Sequence, residues 1–141
     1  MVVMNGKIAI SLAAQMYKLK SYFPESQCNW ANCGNSIVWK GWLQPFGLSE
    51  RYLIKIIYQR NRNPEVYVLY PKPLRKPEGQ KLLKHTYNTE SQHLCIYYRR
   101  AKEWEANMYI ADIIIPWACE WLLHYEYWVA TGEWHGGGIE H

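Results

Sequence analysis

Three runs of β-branched and aromatic residues, each bounded by turn residues, constrain the fold of this chain more than any other feature. The runs cover residues 37–43, 52–58 and 66–70. Turn segments rich in proline, glycine and asparagine separate them at 45–47 and 61–64. Short strands joined by short turns favour an antiparallel meander. Side chains alternate along a strand, which predicts Ile54, Ile56 and Tyr58 on one face and Leu53 and Ile57 on the other.

An amphipathic helix is predicted before the strands, because apolar residues there recur at intervals of three and four. They are Ile8, Leu12, Met16, Leu19 and Phe23. Pro24 is expected to end this helix, since proline cannot continue the backbone hydrogen bonding. Residues 26–35 contain Cys, Asn, Gly and Ser and are predicted to form a loop.

The second half of the chain is predicted to be mostly helical after an irregular segment. Residues 72–84 form a basic, proline-containing connector, and residues 85–98 are expected to be largely irregular. Residues 103–130 have a helical pattern, with a break before Pro116 and an end at Gly132. The order of elements predicts an α+β fold with an N-terminal helix, an antiparallel β-meander, an irregular active-site segment and C-terminal helices.

Composition limits the class of protein. A chain of 141 residues with 49% hydrophobic content is expected to form a single domain over 1–141 with a core of its own. It has no apolar run near the roughly 18 residues of a membrane span and no signal-peptide pattern, so no membrane partner is expected and we predict a cytoplasmic protein. Its four cysteines are then expected to be free thiols.

Cys95 is the strongest candidate for a catalytic residue. It lies between Leu94 and Ile96, and His85 precedes it by ten residues. A thiolate is a strong nucleophile, and nearby cations or histidines favour its formation. His93 is expected on the same side of an extended backbone as Cys95. Arg99 and Arg100 are further possible sources of positive charge.

This spacing resembles that of ubiquitin-conjugating enzymes, in which a His-Pro-Asn triplet stands ten residues before the catalytic cysteine. Thr86 and Tyr87 occupy the Pro and Asn positions here. Aromatic and glycine-rich segments at 39–45, 67–74, 115–117 and 131–138 extend the resemblance to one bacterial family. It is the small ubiquitin-conjugating-like protein of short type II CBASS antiphage operons, encoded beside a cGAS/DncV-like nucleotidyltransferase.

The resemblance implies a ubiquitin-conjugating-like fold and an acyl-transfer function without a cofactor. Cys95 would accept the C-terminal glycine of the nucleotidyltransferase as a thioester and pass it to a lysine of a target protein. This ligation would prime cyclic-oligonucleotide signalling. His85 would shape the active-site loop, and Tyr87, its neighbour Asn88 or a backbone amide would replace the missing asparagine as the donor to the oxyanion.

Two other functions remain open at this stage. Cys95 with His85 or His93 could form a cysteine hydrolase that cleaves a thioester or peptide. Alternatively, Cys95 could be a core residue of a non-catalytic protein- or nucleic-acid-binding module that uses the basic connector 72–84. Ordinary solvated lysines are the favoured explanation of the basic charge, so a nucleic-acid partner is not expected.

The remaining cysteines and histidines permit a zinc site in principle. Cys28 and Cys33 are five positions apart, and His135 and His141 could complete four ligands. The spacing lacks the compact pattern of a zinc finger, so we expect ordinary cysteines and no metal.

Overall fold

The computed structural model describes residues 3–4, 7–97 and 103–136. In chain order the strands and helices are β1 (Val3–Met4), β2 (Lys7–Ile8), α1 (Leu12–Tyr22), β3 (Gln27–Ala31), β4 (Ser36–Leu43), β5 (Tyr52–Gln59), β6 (Glu65–Tyr70), β7 (Thr86–Asn88), β8 (His93–Leu94) and α2 (Ile110–Thr131). A short 3₁₀ turn (Asn32–Gly34) joins β3 to β4. None of the helices in these residues is long and apolar enough to span a membrane.

The main sheet is an antiparallel meander extended at both sides. Its strand order is β3-β4-β5-β6-β8-β7, and β1 pairs separately with β2. The three predicted strands are β4, β5 and β6, and their antiparallel pairing is confirmed. The sequence did not predict β3, or the short strands β7 and β8 within the segment expected to be largely irregular.

One face of the sheet packs against both helices and forms the core. Ile54, Ile56 and Tyr58 are buried on that face, whereas Leu53 and Ile57 are only half-buried, as the alternation predicted. Leu12 and Leu19 of α1 belong to the same cluster as Trp121, Tyr125 and Trp128 of α2. The opposite face of the sheet, where β6, β7 and β8 meet, therefore points away from the two helices.

The first helix is shorter at its start than predicted. Ser11 caps it, since its side chain accepts a hydrogen bond from the Ala14 N–H at 3.1 Å. Ile8 lies outside the helix in β2 and is exposed, so its assignment to the helical face was wrong. Phe23 is the C-terminal cap, and Pro24 follows it as expected.

The C-terminal region contains one helix where the sequence predicted two. Helix α2 runs through Pro116 without a break, so that prediction was wrong. Pro116 is exposed, and so is Asp112, whose carbonyl loses its helical partner and can bond water instead. Residues 103–109 are not helical, also contrary to the prediction. Gly132 ends α2 in the left-handed conformation with a φ of 80°.

The architecture agrees with the predicted α+β class. It has an N-terminal helix, an antiparallel sheet and a C-terminal helix in the expected order. The correspondence to the ubiquitin-conjugating fold in particular stays a prediction.

Candidate active site

Backbone contacts fix Cys95 at the end of β8. The Cys95 N–H donates to the His85 carbonyl at 2.9 Å. The indole N–H of Trp121 in α2 donates to the same carbonyl at 3.0 Å. His85 has a φ of 47°, in the left-handed region that residues other than glycine rarely adopt. Helix α2 therefore helps to position the segment between His85 and Cys95.

The Cys95 thiol lies beneath Tyr87. Cys95 is 1% exposed, whereas Tyr87 is 50% exposed. The Tyr87 hydroxyl donates a hydrogen bond to the Cys95 sulfur. Partial burial, together with this bond and the nearby charge of a Cys95 thiolate, raises the pKa of Tyr87. The hydroxyl therefore keeps its proton at neutral pH and can act as a donor at the thiol.

A row of side chains in contact holds Tyr87 in place on the outer face of the sheet. The His93 ring stacks on Tyr67 with centroids 4.4 Å apart, and it contacts the Tyr87 ring at 4.7 Å. The Lys55 ammonium lies over the other side of the row, 4.9 Å from the Tyr67 centroid. Burial lowers the pKa of His93 below 6.5, although the Glu65 carboxylate opposes this effect. His93 is therefore neutral at pH 7 and supplies packing rather than positive charge.

A surface cleft of ≈ 470 Å³ opens beside the Cys95–Tyr87 pair. Segment 62–65 forms one side, and Tyr87, His93 and Tyr97 form the other. The Tyr97 hydroxyl donates to the Pro64 carbonyl at 2.7 Å and so joins the two sides. Burial and the nearby acidic groups raise the pKa of Tyr97. A substrate segment lying in this cleft would pass directly beside the tyrosine that covers the thiol.

The side chains of His85 and Asn88, the other two predicted site residues, make contacts that stabilise the fold. The ring of His85 is buried against Trp134, with centroids 4.9 Å apart. The Asn88 side chain accepts a hydrogen bond from the Ser91 N–H at 2.8 Å and stabilises the turn between β7 and β8. Thus the structure brings Tyr87 and His93 to Cys95, whereas His85 contributes its carbonyl and Asn88 shapes the turn.

Three residues of the site were missed by the sequence interpretation: Glu65, Tyr67 and Tyr97. Glu65 accepts a hydrogen bond from the Tyr67 hydroxyl at 2.6 Å, on the outer face of β6. The alternation of β6 could have indicated an outward Glu65 and Tyr67, since Val66 and Val68 are buried. The proximity of Glu65 and Tyr67 to Cys95 depends on pairing between distant segments, for which the sequence carried no signal.

The zinc hypothesis receives no support from the described residues, in which no group of three or more His, Cys, Asp and Glu side chains could hold a metal ion. Cys33 is exposed and Cys28 is half-buried. Burial raises the pKa of the Cys28 thiol to about 11, which disfavours the thiolate a metal needs. The fourth proposed ligand, His141, and the cationic candidates Arg99 and Arg100 lie outside the described residues.

Together the fold and the site define an α+β protein with a covered cysteine at the edge of a surface cleft. The model of the type II CBASS E2 protein family matches residues 15–141, so this chain belongs to that family. The resemblance inferred from the sequence is therefore confirmed, and with it a place in CBASS antiviral defence. Membership implies association with CBASS components such as the nucleotidyltransferase. No curated protein matches the chain.

Proposed function

We propose that this protein is a conjugating enzyme that carries an acyl group on Cys95. Cys95 accepts the C-terminal glycyl group of the nucleotidyltransferase from an activated donor, forms a thioester and passes the group to a lysine. The observation that carries the proposal is the hydrogen bond between Tyr87 and Cys95 in a member of the type II CBASS E2 family. This pair combines a nucleophile with a neutral hydrogen-bond donor at the edge of a cleft.

Tyr87 acts as the donor to the oxyanion in this mechanism. It occupies the position at which ubiquitin-conjugating enzymes have an asparagine, and its hydroxyl already points at the sulfur. When the lysine attacks the thioester, negative charge develops on the carbonyl oxygen next to that sulfur. A retained phenolic proton can stabilise this charge by a hydrogen bond.

Acylation requires a movement of Tyr87, because Cys95 is only 1% exposed. The Tyr87 ring borders the ≈ 470 Å³ cleft, which offers space for its rotation. The acyl tail would then lie in the cleft with its terminal carbonyl at the sulfur. The partner's tail thus both opens the site and fills it.

Intact-protein mass spectrometry of the chain co-expressed with its neighbouring nucleotidyltransferase tests the proposal. We expect an adduct equal to the partner's mass less water that is removed by thiols. Cys95→Ala should abolish the adduct, and Cys95→Ser should convert it to an ester that resists thiols. Formation of the same adduct by Cys95→Ala would rule out the assignment of the nucleophile.

The burial of Cys95 favours one alternative, a non-catalytic binding protein in which this cysteine is a core residue. Because Tyr87 covers the thiol under either function, the adduct and the alkylation of folded Tyr87→Ala together distinguish them. If no adduct forms and Cys95 of Tyr87→Ala reacts with iodoacetamide only after unfolding, the binding function replaces the proposed enzyme.

A further inference from the structure

The pairing of β6 with β8 places an acidic residue opposite the candidate nucleophile. These antiparallel strands pair Val66 with Leu94 and Tyr67 with His93. The pairing ends there, at the last residue of β8, and continuing its register by one step places Glu65 opposite Cys95. Directly opposed residues in antiparallel strands have Cβ atoms about 4.5–5.5 Å apart. Glu65 is therefore a neighbour of Cys95 although thirty positions separate them in the sequence.

Both side chains are on the outer side of the sheet. Val66 and Leu94 point into the core and are at most 1% exposed, so their neighbours within β6 and β8, namely Glu65, Tyr67 and His93, point outward. The outward direction of Glu65 follows from its hydrogen bond with Tyr67, which stacks on His93. For Cys95 it follows from its bond with the half-exposed Tyr87.

Glu65 also lines the cleft, where it can meet a substrate. Its carboxylate accepts one hydrogen bond, from Tyr67, and a carboxylate has room for several. Within the described part of the chain, no ion pair involves Glu65. Its negative charge influences both His93 and Tyr97, two of the three side chains on the opposite side of the cleft. The cleft thus has a carboxylate that can accept a further hydrogen bond beside the nucleophile.

We propose that Glu65 binds the ammonium group of the acceptor lysine in this cleft and removes its proton during aminolysis of the Cys95 thioester. This inference rests on the proposed function and assigns the residue that binds its acceptor lysine. An ammonium group is not a nucleophile, and a positioned carboxylate both attracts it and accepts its proton.

The chemical step balances without a co-reactant. The lysine ammonium transfers one proton to the Glu65 carboxylate, and the amine nitrogen attacks the thioester carbonyl carbon. The new C–N bond forms and the C–S bond breaks, with a second amine proton passing to the Cys95 thiolate directly or through solvent. The products are an amide and the free thiol, and Glu65 returns its proton to solvent.

The position of Glu65 should affect the two half-reactions differently. During loading the carboxylate has no cation to bind, and it repels the negative charge of the attacking sulfur. Once Cys95 is acylated it carries no charge, and the carboxylate then serves only to attract a cation. Removing the charge should therefore spare or accelerate loading and slow transfer to an amine.

Single-turnover discharge of a preformed thioester separates these effects. The wild type, Glu65→Gln and the control Glu25→Gln are loaded on Cys95 from a synthetic peptide thioester ending in glycine, and loss of the acyl group is followed by mass spectrometry. Glu25 is an exposed residue in the turn after α1. Free lysine serves as the charged acceptor, and hydroxylamine serves as an uncharged one at neutral pH.

We expect Glu65→Gln to load at least as fast as the wild type and to discharge to lysine about 100-fold more slowly. Its discharge to hydroxylamine should be unchanged, and Glu25→Gln should match the wild type throughout. Equal rates with lysine for Glu65→Gln and wild type would overturn the inference and leave the proposed function standing. An equal loss with both nucleophiles would also overturn it, by assigning Glu65 a structural role. Failure of the wild type to load would overturn the proposed function and the inference with it.

Discussion

Tyr87 combines two properties at Cys95 that a smaller polar residue would not provide together. Its ring covers the thiol, which leaves Cys95 1% exposed, and its hydroxyl donates to the sulfur. The ring is held from the side by His93, which rests in turn on Tyr67. A nucleophile under such a cover is protected from alkylation and oxidation until the cover moves. Substitutions that shorten Tyr87 or remove its hydroxyl should separate the two effects.

We predict that Tyr87→Ala exposes the thiol, whereas Tyr87→Phe keeps it covered and removes the donor. Cys95 alkylation in folded Tyr87→Ala should approach the rate of the exposed Cys33, measured by peptide mass spectrometry in the same sample. Tyr87→Phe should lower acyl transfer by about 100- to 1,000-fold, as for loss of one oxyanion donor. Tyr17→Ala, which alters an exposed tyrosine of α1, serves as the control. An unreactive Cys95 in Tyr87→Ala would contradict the role of the ring as a cover.

At the scale of single residues, the sequence singled out Cys95 as the candidate nucleophile together with side chains that lie near it, but not the whole candidate site. The spacing from His85 to Cys95 is local information, and it singled out Tyr87 and His93 as well. Glu65 reaches Cys95 only through the register of β6 with β8. Strand register is set by the turns and the buried face of the whole sheet, so a single sequence does not reveal which residues it places opposite each other.

At the scale of elements, the predictions failed where the local pattern was weak or was overridden. Strand β3 is an exposed edge strand, so Gln27–Ala31 lacks the alternation of buried and exposed residues that identified β4 to β6. Residues 103–109 have a helical pattern, but tertiary contacts hold them in another conformation. The Ala106 carbonyl accepts from the Ile10 N–H at 2.9 Å, and Trp104 packs on Tyr58. Intrinsic propensity is a weak prior against such contacts.

Strand β4 provides a prediction based on packing. A Cβ at Gly41 would overlap the Trp39 indole, which is fully buried and donates to Ser26 at 2.9 Å. Gly41→Ala should therefore lower the free energy of unfolding by about 1–3 kcal/mol, the usual cost of overpacking a core. A Cβ at Gly47 would have no atom within 4 Å, so Gly47→Ala should stay within about 0.5 kcal/mol of the wild type. Urea denaturation monitored by tryptophan fluorescence measures both, and equal losses would refute the packing argument.

At the scale of the whole molecule, one buried side chain joins the first helix to the start of the second. Gln15 of α1 is fully buried, and its amide donates to the Met108 carbonyl at 2.7 Å. Its side-chain oxygen accepts from the Ile110 N–H at 2.8 Å, at the first residue of α2. Gln15 thereby satisfies a donor at a helix start that has no side-chain cap. Helix α2 in turn supports the candidate site through Trp121.

We predict that Gln15→Leu destabilises the protein, because two backbone polar groups lose their hydrogen-bond partner. The Ile110 N–H and the Met108 carbonyl would lose their partner, and each unsatisfied buried group costs about 1–3 kcal/mol. We therefore expect a loss of about 2–4 kcal/mol in the free energy of unfolding, measured by urea denaturation. Lys18→Met removes the exposed ion pair between α1 and Asp112 at 2.6 Å and is the matched control at the same helix interface. Its effect should be much smaller, because solvent screens an exposed pair. A loss for Lys18→Met as large as that for Gln15→Leu would show that the interface depends on charge, and the buried amide would then not be the main connection between the two helices.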